Sequence, residues 1–246
     1  MDRQAIRMAV RQRYARRAQG AGCCGGETIP KVSALYSPQE VSGLPSEVLA
    51  VAAGCGNPTA IGALHPGEVV LDLGSGGGID CFLSAFRVGP GGRVIGVDMT
   101  PEMVELAERN RRRLGLVQVS FVLGILEALP LASSSVDVVI SNCVINLCPD
   151  KGVVFREMAR VLRPGGRAYI ADVVAREALP EAMRRDLASW SACIAGAEPM
   201  DRFLALLEGA GLRVHCARPQ GPECAEGPGP RVSPVFSLEV EARKPL

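Results

Sequence analysis

Cysteine is the residue type in this chain that could do the most chemistry. Two cysteines follow an apolar run in Ser-Asn-Cys-Val-Ile-Asn-Leu-Cys, residues 141–148. A strand that reads Val-Asp-Val-Val-Ile should end in turn residues, yet this one ends in an amide and a thiol. The cysteines are odd in number and form no Cys-x-x-Cys pair, so neither a zinc site nor a thioredoxin-type motif is predicted. We expect free thiols, as in a reducing compartment. The nine positions are Cys23, Cys24, Cys55, Cys81, Cys143, Cys148, Cys193, Cys216 and Cys224.

A glycine-rich loop between two acids is the second candidate site. Asp72 leads directly into Gly74-Ser-Gly76-Gly-Gly, and Asp98 ends the next predicted strand, where an acid can accept hydrogen bonds from ribose hydroxyls. A dinucleotide site would read G-x-G-x-x-G and hold a pyrophosphate, whereas this loop reads G-x-G-x-G and carries a carboxylate that would repel one. A cationic ligand suits it better, so we predict S-adenosylmethionine rather than NAD.

Strands and helices alternate from residue 68 onward, which predicts an α/β fold with a doubly wound, mostly parallel sheet. Seven strands are predicted, at a run over 68–78 that breaks into glycine and at 93–99, 119–124, 136–142, 166–174, 212–218 and 234–243. Helices are predicted at 79–88, 101–114, 150–163 and 199–210. Ligands of such sheets bind beyond the carboxyl ends of the strands, which is where the glycine loop, Asp98 and Cys143 fall.

Two regions are predicted along the chain. Residues 1–66 look like helices joined by Gly-rich turns and are interpreted as an N-terminal helical cap. Residues 67–246 then form the cofactor-binding domain with its C-terminal strands.

Composition excludes several classes of protein. The 246 residues are 48% hydrophobic, and 27 basic side chains face 26 acidic ones, so nothing favours a nucleic-acid partner. No apolar run reaches the length of a membrane span, and arginines interrupt the N-terminus where a signal peptide would be apolar. We expect a cytoplasmic protein that acts as a monomer.

Four stretches resemble the arsenite methyltransferases, a family of class I S-adenosylmethionine-dependent methyltransferases. They are 35–58, 70–110, 141–166 and 193–197, and the match runs from about residue 7 to 212. The distinctive part is Gly-Cys-Gly-Asn-Pro at 54–58 joined to Ser-Asn-Cys-Val-Ile-Asn-Leu at 141–147. Generic methyltransferases carry the glycine loop without these two segments.

The resemblance implies a three-coordinate arsenic(III) site made by the thiolates of Cys55, Cys143 and Cys193. It also implies that Cys23 and Cys24 match a further thiol position involved in disulfide exchange. The chemical softness of arsenic(III) supports a site made of thiolates, because a soft acceptor prefers thiolate ligands to carboxylate or imidazole. The three cysteines come from the cap, the mouth of the fourth strand and the helix after the fifth strand.

Other cofactor contacts follow from the layout of the sheet. Met99 can lie against the adenine, Leu126 should present its backbone to the adenine edge, and Asn142 should hold the methionine part or order the thiolate loop. The family usually has an acid where this chain has Ile125, which removes one expected hydrogen bond.

The remaining thiols are given smaller roles. Cys81 should be core and Cys216 should pack within a strand, while Cys224 has no assignable role. Cys148 departs from the family, which more often has serine there, and is either an incidental fourth thiol or a helper in exchange.

The chemistry of arsenic methylation suits a chain that places no histidine at the site. The arsenic lone pair carries no proton, so no general base is required, and His65 and His215 fall away from the predicted mouth of the sheet. Methylation oxidises arsenic, and two thiols that close to a disulfide can return the electrons. We therefore expect arsenite or its thiol conjugates as substrate and thioredoxin or glutathione as reductant.

Two alternatives stay open at this point. One is a methyltransferase for a small organic molecule such as a quinone or sterol, with incidental cysteines. The other is a non-catalytic arsenic-binding protein, which a ruined cofactor loop would indicate; here the loop is intact.

Overall fold

The computed structural model describes residues 2–20, 32–220 and 233–246, so Cys23, Cys24 and Cys224 lie outside the described residues. These residues form one seven-stranded sheet with helices packed against it. The strands are β1 (Val69–Leu73), β2 (Arg93–Asp98), β3 (Val119–Leu123), β4 (Val136–Asn142), β5 (Leu162–Ala175), β6 (Arg213–Gln220) and β7 (Val235–Arg243). The helices are α1 (Arg3–Ala18), α2 (Val32–Leu35), α3 (Pro38–Val41), α4 (Ser46–Val51), α5 (Pro58–Ile61), α6 (Ile79–Val88), α7 (Pro101–Leu114), α8 (Lys151–Val161), α9 (Glu181–Arg184), α10 (Leu187–Ser191) and α11 (Met200–Gly209).

The strand order is β3-β2-β1-β4-β5-β7-β6, with β1 to β5 parallel and β7 antiparallel to both of its neighbours. The predicted doubly wound, mostly parallel sheet is therefore confirmed. The order reverses between β1 and β4, which pair directly. Crossovers leave this point in opposite directions, so the loops after β1 and β4 separate and open a crevice there.

Burial of the central strand on both faces explains its apolar sequence. Val70, Leu71 and Leu73 are all fully buried, with Val70 in one hydrophobic core and the two leucines in the other. Asp72 is the polar exception, at 2% exposure. An acid in such a strand is costly to bury, so its presence points to a ligand at that end of the sheet.

The junction of α8 and β5 differs from the prediction. A helix over 150–163 and a strand from 166 were expected, whereas α8 ends at Val161 and β5 already begins at Leu162. Pro164 disfavours the helical conformation in the residue before it, so the helix ends earlier. The guanidinium of Arg163 donates a hydrogen bond to the carboxylate of Asp137 at 2.6 Å. Strand β5 pairs with β4 on both sides of a register shift.

Helices precede β1, as predicted. Ile6 and Val10 of α1 pack on Leu147, in the 3-10 turn Ile145–Leu147 after β4, so α1 lies near the crevice. The division into a cap over 1–66 and a domain over 67–246 stays a prediction. No helix in the described part of the chain has the length and apolarity needed to cross a membrane.

Candidate functional site

A cavity lies beyond the carboxyl ends of β1 and β4. Its volume is about 1090 Å³, including the space at its open mouth, which is enough for a nucleoside-sized ligand. Cys143 lines it together with every residue predicted to bind the cofactor: Asp72, Gly74, Gly76, Asp98, Met99, Leu126 and Asn142. The two predicted sites therefore share one wall. Neither His65 nor His215 lines the cavity, in agreement with the sequence.

The loop after β1 needs glycine for two reasons. Its φ angles are +67° at Gly74 and +49° at Gly76, in the left-handed region. A Cβ atom on Gly74 would also lie 2.4 Å from the side chain of Val144. The N–H of Gly76 donates to Asp98 at 2.9 Å, which ties the loop to the end of β2.

Two buried carboxyls make the cavity attractive to a cation. Burial and the charge of Asp80 raise the pKa of Asp72 well above its usual value. Burial raises the pKa of Asp80 to about 6, although hydrogen bonds from Tyr36 and Asn142 act in the opposite direction. The donors to these two acids are neutral: the Cys81 thiol at 3.2 Å from Asp72, the Tyr36 hydroxyl at 2.9 Å and the Asn142 amide at 3.2 Å from Asp80. A bound positive charge would stabilise both carboxylates.

Asp98 and Ser75 offer hydrogen bonds to a neutral ligand group. Asp98 accepts the N–H groups of Gly76 and Thr100, and burial still raises its pKa above the usual value. The hydroxyl of Ser75 is buried and has no hydrogen-bond partner among the described residues. Sugar hydroxyls would give both side chains a partner, so these residues fit the predicted cofactor.

Met99 and Leu126 both reach the cavity, as the adenine interpretation requires. Met99 packs beside Leu147, and Leu126 is buried in the main core. Ile125 also lines the cavity and is 36% exposed, so an apolar side chain stands where the family usually has an acid. Adenine binding at these residues stays a prediction.

Asn142 joins the end of β4 to the loop that carries Cys55. Its side-chain oxygen accepts the N–H of Cys55 at 3.1 Å, and its amide nitrogen donates to the carbonyl of Gly56 at 2.8 Å. The same nitrogen lies 3.0 Å from the Tyr36 hydroxyl and 3.2 Å from Asp80. Of the two predicted roles, the contacts support ordering of the thiolate loop.

The glycines on both sides of Cys55 are explained by the close approach of this segment to Asn142 and Ala171. A Cβ atom on Gly54 would lie 2.6 Å from the amide of Asn142, and one on Gly56 would lie 2.7 Å from the Cβ of Ala171. No side chain fits in either place. The Gly-Cys-Gly segment can therefore lie flat against the carboxyl ends of β4 and β5.

The other two thiols stand on strained backbone. Cys143 has a φ of +56° and Cys193 one of +62°, and Ser134 is the single other non-glycine residue with positive φ in the described ranges. This conformation costs about 1 kcal/mol or more for a side-chain-bearing residue, and such strain clusters at functional sites. The N–H of Cys143 donates to the carbonyl of Ala171 at 2.7 Å, which holds the turn in place.

The three thiols predicted to hold arsenic come together, with Cys143 in the centre. The hydrogen bonds of Cys143 with Cys193 and Cys55, followed by burial, raise its pKa well above the usual value. A hydrogen bond with Cys143 lowers the pKa of Cys55, but burial and the charge of Asp172 outweigh it and leave that pKa raised. Apolar side chains, among them Val173, enclose the group. Cys143 and Cys55 are therefore neutral thiols at rest.

No set of three or more His, Cys, Asp or Glu side chains in the described ranges is arranged to hold a metal ion. The three free thiols are thus packed in one cluster, and their sulfurs do not already form a closed ligand set. A ligand that replaces the thiol protons must draw them together.

Cys193 lies outside the helix in which it was predicted. Helix α10 ends at Ser191, and Cys193 follows in a tight turn. A Cβ atom on Gly196 would lie 2.0 Å from the carbonyl oxygen of Asn146, so this turn presses against the turn after β4. That close contact holds the turn of Cys193 against the turn that follows Cys143.

The remaining thiols lie apart from this cluster. Cys148 is buried in the cavity wall, where burial and the charge of Glu127 raise its pKa, and its sulfur contacts the carbonyl of Val144 at 3.5 Å. Cys81 is fully buried beside Asp72, in agreement with a core role. Cys216 is partly buried in β6, as predicted.

Four residues at the site escaped the sequence analysis: Tyr14, Tyr36, Asp80 and Asp172. Asp172 carried a signal, because it is a lone acid in an apolar strand. It is fully buried, accepts the N–H groups of Ile145 and Asn146 at 2.8 and 3.3 Å, and has a pKa that burial raises to about 6. It therefore holds the turn behind Cys143. The two tyrosines gave no local signal.

Comparison with known proteins connects this geometry to a family. A family described as a methyltransferase domain matches residues 64–211. The arsenite methyltransferase of Halobacterium salinarum is 48% identical over 195 residues, which are 78% of this chain and 50% of that protein. The human arsenite methyltransferase is 43% identical over 137 residues, 52% of this chain and 36% of that protein.

A solved structure extends the likeness to the fold. The crystal structure of an arsenic(III) S-adenosylmethionine methyltransferase from Chlamydomonas reinhardtii superposes with a TM-score of 0.70 at 35% identity. The match covers 89% of this chain and 74% of that one. The chain spans about half the length of the curated arsenite methyltransferases from Halobacterium and Aquipseudomonas.

Proposed function

This chain belongs to the methyltransferase domain family and, within it, to the arsenite methyltransferases, and from that premise we propose that it methylates trivalent arsenic. The methyl donor is S-adenosylmethionine. The observation that carries the proposal is that Cys55 and Cys143 lie in one buried cluster against which Cys193 packs, beside a cavity that Cys143 lines together with two buried acids.

The resting state of the thiols suits arsenous acid as the substrate. Each neutral thiol can form one sulfur–arsenic bond while one arsenic–oxygen bond breaks, and its proton leaves with the hydroxide as water. The raised pKa values of Cys55 and Cys143 are therefore no obstacle to binding. Three sulfurs leave the arsenic lone pair free on the fourth side.

Catalysis then depends on how the arsenic lone pair is aligned with the methyl group of the cofactor. When bound, the cofactor supplies an electrophilic methyl group on a sulfonium sulfur. Asp72 and Asp80 favour a positive charge in the cavity, and Cys143, which lines it, sets the distance from arsenic to that charge. The arsenic lone pair forms the new bond and no proton moves, so positioning accounts for most of the rate.

The cycle needs a reductant. Methylation makes arsenic formally pentavalent, and two thiolates that close a disulfide return two electrons to it. We propose that thioredoxin or glutathione then reduces the disulfide, and that Cys23 or Cys24 takes part in the exchange. The cytosol is the expected location, because thiols stay reduced there.

The test is to incubate the protein with arsenite, labelled S-adenosylmethionine and a thiol reductant, and to analyse the arsenic species. We expect methylated arsenic from the wild type, none from Cys143→Ser or Cys55→Ser, and cofactor binding nearly intact in both variants. Serine has a similar size but is a hard, protonated ligand. Cys216→Ser, in β6 away from the cluster, is the matched control and should keep full activity.

Methylation in either site variant would refute the three-thiolate site. Thiol-independent methylation of an organic acceptor, with none of arsenite, would instead favour the small-molecule alternative.

A further inference from the structure

We propose that Trp190 of α10 is a positioning residue for the arsenic ligands, which ties the turn of Cys193 to the turn after Cys143 and so sets the spacing of these two thiols. The proposal rests on the proposed function. It adds a residue that carries no thiol and does not line the cofactor cavity.

Trp190 forms hydrogen bonds with both turns. Its ring nitrogen donates to the carbonyl of Leu147 at 3.0 Å, across 43 positions of sequence. Leu147 ends the 3-10 turn that follows Cys143. The backbone carbonyl of Trp190 accepts the N–H of Cys193 at 3.1 Å. One residue therefore connects the two segments that carry these thiols.

The direct link between the two turns is weaker than the link through Trp190. It runs from the side-chain amide of Asn146 to the carbonyl of Cys193 and is long for a hydrogen bond, at 3.4 Å. Trp190 and Cys193 pack against the same apolar cluster, which contains Leu147. A Cβ atom on Gly196 would lie 3.2 Å from the indole ring, so the turn of Cys193 passes close to that ring.

A buried lysine fixes the indole ring from α8. The ammonium of Lys151 lies 5.4 Å from the centroid of the Trp190 ring. The same nitrogen donates to the carbonyl of Cys148, the residue after Leu147, at 3.1 Å. Lys151 is 5% exposed, and a buried cation requires such partners. The lysine therefore holds the ring and the end of the turn together.

The spacing of the turns matters because the two cysteines cannot adjust by themselves. Both have a left-handed backbone, with φ angles of +56° at Cys143 and +62° at Cys193. The direction of each side chain is set by its turn, so the distance between the sulfurs depends on how the turns are held. Ligands of one bound atom must be placed to within about 0.5 Å. Cys193 is the partly exposed member of the three thiols, and its turn therefore depends most on a link to another segment.

The chain has a single tryptophan, so the N–H of Trp190 can be removed while the double ring is kept. Expression in a tryptophan auxotroph fed with benzothienylalanine replaces the ring N–H by sulfur at this position alone. The analogue keeps the packing of the ring and should unfold at nearly the wild-type temperature. Trp190→Phe is a second variant, which removes the N–H together with part of the ring.

Equilibrium dialysis with arsenite, without S-adenosylmethionine, measures the effect in a double-mutant cycle. The analogue should bind arsenite about three- to tenfold more weakly than the wild type, the size of one hydrogen bond. In a Cys193→Ser background the same replacement should alter binding less than about twofold, because the thiol that Trp190 positions is gone. In a Cys55→Ser background, which keeps Cys143 and Cys193, the larger effect should persist.

A second readout is specific to Cys193. In the wild type, arsenite should slow the alkylation of Cys193 by iodoacetamide, as measured by peptide mass spectrometry at an arsenite concentration near the dissociation constant. The protection should be much smaller in the analogue. The affinity for S-adenosylmethionine, measured by calorimetry, should be unchanged, because Trp190 does not line the cofactor cavity.

Tyr169→Phe is the matched control. It removes a hydrogen bond from a buried aromatic side chain to a backbone carbonyl, that of Ala63, outside the cluster of thiols. Arsenite affinity should stay unchanged. Wild-type affinity in the analogue, or an equal loss with and without Cys193, would overturn the role of Trp190 while leaving the proposed function intact. A wild-type chain that neither binds nor methylates arsenite would instead refute the proposed function.

Discussion

The side-chain oxygen of Asn142 accepts the backbone N–H of Cys55 at 3.1 Å, across 87 positions of sequence. Asn142 is also the neighbour of Cys143 in the chain and lines the cofactor cavity. One amide thus sets the position of one thiol by hydrogen bonding and stands directly before another. Cofactor cavity and thiols are consequently parts of a single framework.

Asn142→Ala should impair arsenite methylation and destabilise the fold. The change leaves the N–H of Cys55 and the carbonyl of Gly56 without their partner, at a cost of about 1–3 kcal/mol. Urea unfolding measures the stability and product analysis the activity. Retention of both would show that the Cys55 loop needs no clamp.

Asp98→Ala should weaken the binding of S-adenosylmethionine by about 1–3 kcal/mol, because charge-assisted hydrogen bonds are lost. Calorimetry with the cofactor and no arsenic measures this. Because Asp98 also accepts the N–H groups of Gly76 and Thr100, Asp98→Asn serves as a second variant that keeps one acceptor oxygen. Wild-type affinity in both would remove Asp98 from the ribose role.

Glycine should be tolerated better than alanine at Cys193. Both variants lose the thiol, but alanine keeps the strain of a φ of +62°, so Cys193→Gly should be about 1 kcal/mol more stable than Cys193→Ala. Urea unfolding of the pair measures the difference. The same pair at Cys216, in strand β6, is the control and should show the opposite order, because glycine weakens a strand. Greater stability of the alanine variant at 193 would contradict a strained turn.

Stabilisation by S-adenosylmethionine should be greater at pH 7.5 than at pH 5. The pKa of Asp80 is raised to about 6, so the cost of its buried charge is present above pH 6 and is relieved as the pH falls through 6. A cationic ligand offsets that cost and has less to offset once the carboxyl is neutral. Thermal unfolding with and without cofactor at both pH values measures the increment.

The variant Asp80→Asn separates this cause from others. Its cofactor increment should depend less on pH than that of the wild type. Asp172 has a pKa of about 6 as well but does not line the cavity, so it contributes equally to the stability with and without cofactor and cancels from the increment. An equal increment at both pH values in the wild type would contradict a charged Asp80 at the cofactor.

Replacing both Cys23 and Cys24 with serine should impair turnover of arsenite more than that of a monomethylated trivalent arsenical. The later substrate has one valence filled by carbon and needs two thiolates, which leaves Cys143 and Cys193 essential and Cys55 dispensable. Steady-state rates on both substrates measure this. Equal losses would mean that the pair serves both steps alike or is structural, and no loss would exclude it from exchange.

Most of the secondary structure could be predicted from the sequence alone, because it depends on interactions between residues close together in the chain. Alternating apolar runs and helix signals predicted the seven strands, because strand and helix patterns depend on near neighbours. The cofactor-binding role of the glycine loop and of Asp98 was predicted from their positions at the ends of strands. The choice of Cys55, Cys143 and Cys193 came from the chemistry of thiols together with family resemblance; the three side chains pack in one cluster, and their binding of arsenic stays a prediction.

The tertiary structure decided how these parts act on one another. The left-handed turn at Cys143, which bonds the carbonyl of Ala171, and the clamp of Asn142 on the Cys55 loop each depend on contacts between segments far apart in sequence. No local pattern encodes them, because each is set by packing of one element against another. The raised pKa values of Asp72 and Asp80 have the same origin, since burial depends on what the folded chain places around a carboxyl.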